Sequence, residues 1–177
     1  MDSQGAAAVA SALRKMRLCN HPRMAWPVDW DARVAGSVCN LCAEGRPDEA
    51  KYGRRIAAGE VSDAYLARRG LVRGYAIVVW RGRHVVEPSD LSATEAATYN
   101  AEVLRVGHAI RLNCQPMKMN YQTLGNWSPH LHTHVTARYR DDVAPGRPLP
   151  AGPNVERPED EWLADVRALR ALLGAES

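Results

Sequence analysis

Residues 119–138 read MNYQTLGNWSPHLHTHVTAR, and this stretch decides the fold. Two β-prone segments, 117–123 and 130–138, flank Gly125 and Asn126, residue types that favour a tight turn. The second segment runs His130, Leu131, His132, Thr133, His134, Val135. Side chains alternate between the faces of an extended strand, so this spacing sets three imidazoles on one face and Leu131, Thr133 and Val135 on the other. Half of the six histidines of the chain fall within these five positions. Three imidazoles side by side need a reason, and one metal ion held by all three is one reading. His21 and His108, which stand alone, read as surface or satisfied core residues.

Upstream, Ser92 and Glu95 form a capping-box signature, and Ala96, Tyr99, Val103, Val106 and Ile110 follow at helical spacing. The pattern predicts an amphipathic helix over 92–113, closed by Pro116. Segments 63–68 and 75–80 read as an antiparallel hairpin around a turn with Gly70 and Gly74. Four strands and one long helix indicate an α+β domain. Residues 143–158 are dense in Pro and Gly, and Trp162, Leu163, Val166, Leu169, Leu172 and Leu173 then recur at helical spacing. At the other end, residues 5–17 suit a short alanine-rich helix. The expected organisation is an N-terminal extension (1–37), a central domain (38–142), and a linker with a C-terminal helix (143–177).

The chain has 177 residues, 46% of them hydrophobic, which is material for one buried core. Its formal net charge of +3 comes from 23 basic and 20 acidic residues without a long run of either sign. That is mild attraction for anions and excludes a nucleic-acid-binding arm. No segment has the apolar length of a membrane span, and the N-terminus lacks the pattern of a secretory signal. The reading is a cytoplasmic protein with reduced thiols at positions 19, 39, 42 and 114, where the spacing of Cys39 and Cys42 suits metal binding or redox chemistry.

The order histidine, apolar, histidine, variable, histidine, apolar after a glycine-containing turn resembles the signature of the histidine-triad (HIT) nucleotide hydrolases and transferases. The resemblance extends over about 38–140: Cys39 and Cys42 are similar to the paired cysteines that begin many bacterial members, and His84 to the next metal ligand. It implies a HIT-like antiparallel sheet of about five strands with one long helix, usually paired with a second copy as a homodimer. The fifth strand is unplaced in the sequence. By position, the resemblance makes His132 the nucleophile that forms a covalent nucleotidyl-histidine intermediate, with His134 at the phosphate and leaving group. A neutral imidazole is nucleophilic at physiological pH, and its phosphoryl adduct is labile enough to turn over.

With His84 and His130, Cys39 and Cys42 complete two thiolates and two imidazoles, a closed tetrahedral set suited to structural zinc. Asn120, Asn126 and Ser128 are the candidate phosphate- or sugar-binding residues; Cys114 reads as core and Cys19 as a fifth ligand candidate distant in sequence from the domain. The family's acidic ribose-binding residue has no match, since Arg68, Arg69 and Gly70 occupy that region, and these arginines are expected to attract extra negative charge on the substrate. The expected function is hydrolysis or nucleotidyl transfer on dinucleoside polyphosphates or nucleoside phosphoramidates. A dinucleoside polyphosphate phosphorylase, a non-catalytic zinc-stabilised nucleotide-binding module, and catalytic zinc on the three triad histidines are the alternatives.

Overall fold

A computed structural model of the chain describes residues 25–150 and 155–174. The candidate helix over 5–17, His21 and Cys19 lie outside these residues. In chain order the elements are α1 (Trp30–Val34), α2 (Asn40–Ala43), β1 (Glu49–Ala50), β2 (Gly53–Ala58), β3 (Ser62–Leu66), β4 (Arg69–Gly70), β5 (Tyr75–Trp80), α3 (Ala93–Cys114), β6 (Lys118–Thr123), β7 (His132–Arg138), β8 (Val155–Glu156) and α4 (Glu159–Gly174).

Six strands form one antiparallel sheet in the order β1-β2-β3-β5-β7-β6. The two segments around the Gly125 turn are β6 and β7, and Gly125 takes a φ of 78° that suits glycine. The expected hairpin is the β3–β5 pair. The unplaced fifth strand is β2, with the two-residue β1 beyond it as a sixth.

Alternation divides the sheet. Ala64, Leu66, Ala76, Val78, Trp80, Val135 and Ala137 face α3 and α4, where Tyr99, Val103, Val106, Ile110, Trp162, Val166 and Leu169 close the core. The register pairs Val79 with His132, Ile77 with His134, Asp63 with Val79 and Tyr65 with Ile77, so these residues share the opposite face. Thr133 is on the core side, and its hydroxyl is satisfied there by Tyr99 Oη at 3.0 Å and Thr123 Oγ1 at 2.8 Å. Tyr99 in turn donates to the Val78 carbonyl. This chain of hydroxyls fixes α3 on the strand that carries the histidines.

The ends of α3 follow from its sequence. Ser92 Oγ accepts from the Glu95 N–H while Glu95 accepts from the Ser92 N–H, and Gln115 ends the helix at a left-handed φ of 49° just before Pro116.

At α4, buried Asp165 receives Arg73 through two bonds of 2.9 and 2.6 Å, Asn113 at 2.9 Å and Arg157 at 2.7 Å. Burial alone would push this carboxyl up; the bonds from Arg73, Asn113 and Arg157 outweigh it and hold the group down at about 2. The folded value lies below the ordinary 3.8, so its stabilisation is complete above that pH and disappears as pH falls towards 2, a contribution of about 2 kcal/mol. Asp165→Asn is therefore expected to lower Tm at pH 7, and the gap to the wild type should narrow between pH 4 and 2 in thermal scans.

Candidate active site and metal centre

The candidate metal centre draws on three separate segments of the chain. Cys39 caps α2 and Cys42 lies within it, His84 follows β5, and His130 stands two residues before β7. Their ligand atoms all lie within 4.8 Å of one another. His130 Nδ1 is 3.4 Å from both Cys39 Sγ and Cys42 Sγ, and His84 Nδ1 is 3.4 Å from Cys42 Sγ. Donors in a tetrahedron around zinc, with bonds of about 2.3 Å to sulfur and 2.0–2.1 Å to nitrogen, stand roughly 3.5 Å apart. The four side chains fit such an ion.

Both rings are held in register. His130 Nε2–H donates to the Trp80 carbonyl at 2.9 Å, which places the Nδ1 lone pair at the cysteines. His84 packs against Gly36, where a Cβ would stand 2.8 Å from Cγ of the ring, and Gly36 itself has a φ of 78°. Desolvation, with the Cys39 thiol beside it, pushes the Cys42 thiol up to about 11; a dication among the sulfurs reverses that cost. The turn bearing the cysteines is braced by Asp63, fully buried on β3, which receives Arg46 and Arg81, while Arg81 also donates to the Leu41 carbonyl.

His132 and His134 sit two residues apart on β7 with ring centroids 4.9 Å apart. His132 Nδ1 is 2.6 Å from the His130 carbonyl. A carbonyl only accepts, so Nδ1 carries the hydrogen and Nε2 keeps a free lone pair. Tyr75 Oη lies 2.7 Å from His134 Nδ1. Burial lowers both imidazoles, His134 to about 4 with His132 as the second cause, so both are neutral near pH 7.

Two cavities meet at these rings. The smaller, about 150 Å³, contains His132 and His134 together with Leu41, Tyr52, Ile77 and Ser128. The larger, about 500 Å³, contains His134 but not His132 and extends to Leu71, Gln122 and Leu149.

Of the other candidates, Ser128 borders the smaller cavity, Asn126 is exposed on the turn, and Asn120 Oδ1 accepts from Arg138 Nη1 at 2.5 Å. Cys114 is buried in the core, and His108 is exposed beside Arg111 on α3. The arginines expected to attract substrate are engaged elsewhere: Arg69 pairs with Glu156, and Arg68 with Glu156 and Glu159. That pairing joins β4 to the C-terminal segment, which charge patterning along the sequence does not reveal. Tyr75, Tyr52, Gln122 and Leu149 went unnoticed in the sequence. Tyr75 alone carried a signal, as the polar start of an otherwise apolar strand.

The HIT domain family profile matches residues 53–141. Among solved structures, the chain is similar to a histidine triad protein from Bradyrhizobium japonicum, with a TM-score of 0.64 and 26% identity over 70% of this chain and 92% of that one. A Zn-bound histidine triad family protein from Mycobacterium smegmatis has a TM-score of 0.58 at 24% identity, covering 79% of this chain and 96% of that one. The diadenosine triphosphate hydrolase of Plasmodium falciparum, in complex with Cyclomarin A, has a TM-score of 0.54 at 11% identity over 72% of this chain and 80% of that one. At these lower identities the likeness is one of fold. No curated protein matches the chain.

Proposed function

Since this chain belongs to the HIT domain family, we propose that it is a nucleotide hydrolase or nucleotidyltransferase, in which His132 attacks the phosphorus joined to a nucleoside. The observation that carries this reading is the bond from His132 Nδ1 to the His130 carbonyl. It aims a neutral nucleophile and supports the product of attack. As the Nε2 lone pair forms the N–P bond, the bond to the leaving group breaks with its electron pair, an amine leaving group takes a proton from solvent as it departs, and the ring gains positive charge. The Nδ1–H bond to the carbonyl then strengthens. Water or another acceptor attacks the adduct, loses its proton, and returns His132 to its neutral form. His134 and Ser128, beside the same cavity, donate hydrogen bonds to phosphate oxygens that carry charge through the transition state.

Zinc held by Cys39, Cys42, His84 and His130 is structural in this reading: all four positions are filled by side chains, so it supplies rigidity and no open site. Neighbouring folds include a Zn-bound protein, and two thiols that must stay reduced suit a cytoplasmic compartment.

Dimerisation is part of the proposal. Strand β6 is an edge of the sheet, and Leu104, Leu112, Met117 and Tyr121 are exposed along it and along α3. A second copy on this face would cover both the edge and the apolar side chains. Light scattering should report about twice 19.5 kDa, and Leu104→Arg should halve the value.

The test of the chemistry is direct. Incubation with adenosine 5′-phosphoramidate or diadenosine tetraphosphate, quenched early, should add an adenylyl group to the intact chain, and His132→Ala should abolish it. No adduct and no product from either compound overturns the reading.

A further inference from the structure

Another cavity, of about 340 Å³, opens between β2, α3 and α4 and shares no lining residue with the two beside the histidines. Three arginines line it, Arg55 from β2, Arg105 from α3 and Arg170 from α4, against one acid, Asp48. Strand β1 pairs only with Gly53 and Arg54. The edge of β2 over 56–58 therefore carries no further strand and borders this space.

The three guanidinium groups are unequally satisfied. Arg170 donates to Asp48 Oδ1 at 2.7 Å and to the Arg55 carbonyl at 2.9 and 2.7 Å. Half-buried Arg55 gives Nη1 to the Arg46 carbonyl at 3.0 Å and has no carboxylate partner among the described residues. Half-buried Arg105 makes neither a hydrogen bond nor an ion pair among the described residues, and its Nε is shut off from water without an acceptor. Glu102, the nearest carboxylate along α3, is taken by the Glu60 and Val61 N–H groups and the Ser62 hydroxyl. A buried donor on a charged group is costly to leave unpaired, so Arg105 is an acceptor's place kept open. The C-terminal end of α4 at Gly174 adds roughly half a negative charge, and with Asp48 it leaves the walls an excess of about one and a half positive charges.

We infer that this cavity is a second anion site, made for a phosphate group and separate from the triad. A phosphate group carries about 1.5–2 negative charges near pH 7, which matches the excess on the walls better than a single carboxylate does. Its oxygens accept from Arg105 Nε and from the Arg55 nitrogens that the Arg46 carbonyl leaves unused, and the planar fork of a guanidinium suits two oxygens of one phosphate. Ile56 and Leu173 on the same walls keep the surroundings partly apolar, which strengthens those bonds. A phosphate so held ties the open edge of β2 to α3 and α4, and its binding therefore registers as stability. The site does not depend on the nucleotidyl-histidine reading. Free inorganic phosphate and the 5′-phosphate of a nucleotide share the chemistry it recognises.

Thermal scans of the full chain at constant ionic strength, with chloride replaced in steps by inorganic phosphate or by adenosine 5′-monophosphate, test it. At about ten times the dissociation constant, wild-type Tm should rise by about 3–6 °C. Arg105→Met keeps the length of the side chain and removes its charge. In chloride this variant should match or exceed the wild-type Tm, and it should lose most of the rise with phosphate. Phosphate held at the triad, or the general salting-out effect of the ion, stabilises both proteins alike, so the difference between them belongs to the arginines. Arg55→Met should lose the rise as well, and it decides the matter if Arg105→Met does not fold. An arginine-dependent rise that is larger with adenosine 5′-monophosphate identifies the occupant as the phosphate of a nucleotide; one at least as large with inorganic phosphate identifies the free ion. No rise in the wild type, or a rise of the same size in the variants, overturns the inference and leaves the chemistry proposed for His132 standing.

Discussion

His132→Ala is expected to lower kcat/KM by about 10⁴-fold or more, a loss of roughly 5.5 kcal/mol of transition-state stabilisation, while Tm and zinc content stay close to those of the wild type. The two halves of this result have separate causes. Loss of Nε2 removes the lone pair that the Nδ1–H bond to the His130 carbonyl leaves free beside the smaller cavity. The fold is spared because His132 is on the face opposite the core, and its one hydrogen bond goes to a backbone carbonyl of the adjoining segment. Steady-state kinetics, thermal scans and metal analysis on one preparation check both halves. A variant that retains more than a tenth of the wild-type rate would sink the nucleophile assignment. Catalytic zinc on the triad predicts a different pattern: His130, His132 and His134 variants would lose metal and activity together. His130 turns its Nδ1 to the cysteines, while the rings of His132 and His134 lie beside the cavities.

What was legible in the sequence was whatever short-range chemistry decides. A capping box and a proline set α3 within one residue of its expected ends, and period-two alternation placed His132 and His134 on one face of β7. The cysteine pair, His84 and His130 converge as the resemblance implied. The less legible parts depend on distant partners. Strand β2 has two adjacent arginines and a register shift between Arg55 and Ala57, so it shows no alternation to read. The two-residue strands β4 and β8 exist only because they meet across the fold. Arg68 and Arg69 looked free until Glu156 and Glu159 arrived beside them, and the wall of the larger cavity at Leu149 depends on one guanidinium, Arg138, which bonds the Arg147 carbonyl. Charge pairing of this kind leaves no periodic trace.

Cys39→Ala should lower Tm by about 10 °C and leave less than one zinc per chain, yet reduce turnover of the folded protein by only about tenfold. A structural zinc can contribute about 10–16 kcal/mol where metal and folding are fully coupled. Here coupling is partial, because α3, α4 and the sheet build a core without any of the four ligands except the edge of the segment at His130. What a bound ion would hold is the segment with α1 and α2, which among the described residues adds nothing to the core and is otherwise fixed by Arg81, Arg46 and the bond from Arg33 to the Trp127 carbonyl. A loss of about 3–4 kcal/mol follows, and in a domain of this size each kcal/mol moves Tm by about 2–4 °C. Activity survives in part because the carbonyl that orients His132 is positioned by backbone as well as by metal: Leu131 N–H donates to the Val85 carbonyl and Trp80 N–H to the Leu131 carbonyl. Without zinc, the bond from His130 Nε2–H to the Trp80 carbonyl still holds the ring, and its carbonyl stays near His132. Thermal scans with metal analysis, followed by single-turnover rates at 25 °C, separate the outcomes. Complete loss of turnover in a folded, zinc-depleted protein would contradict a structural ion and assign the metal to the reaction itself.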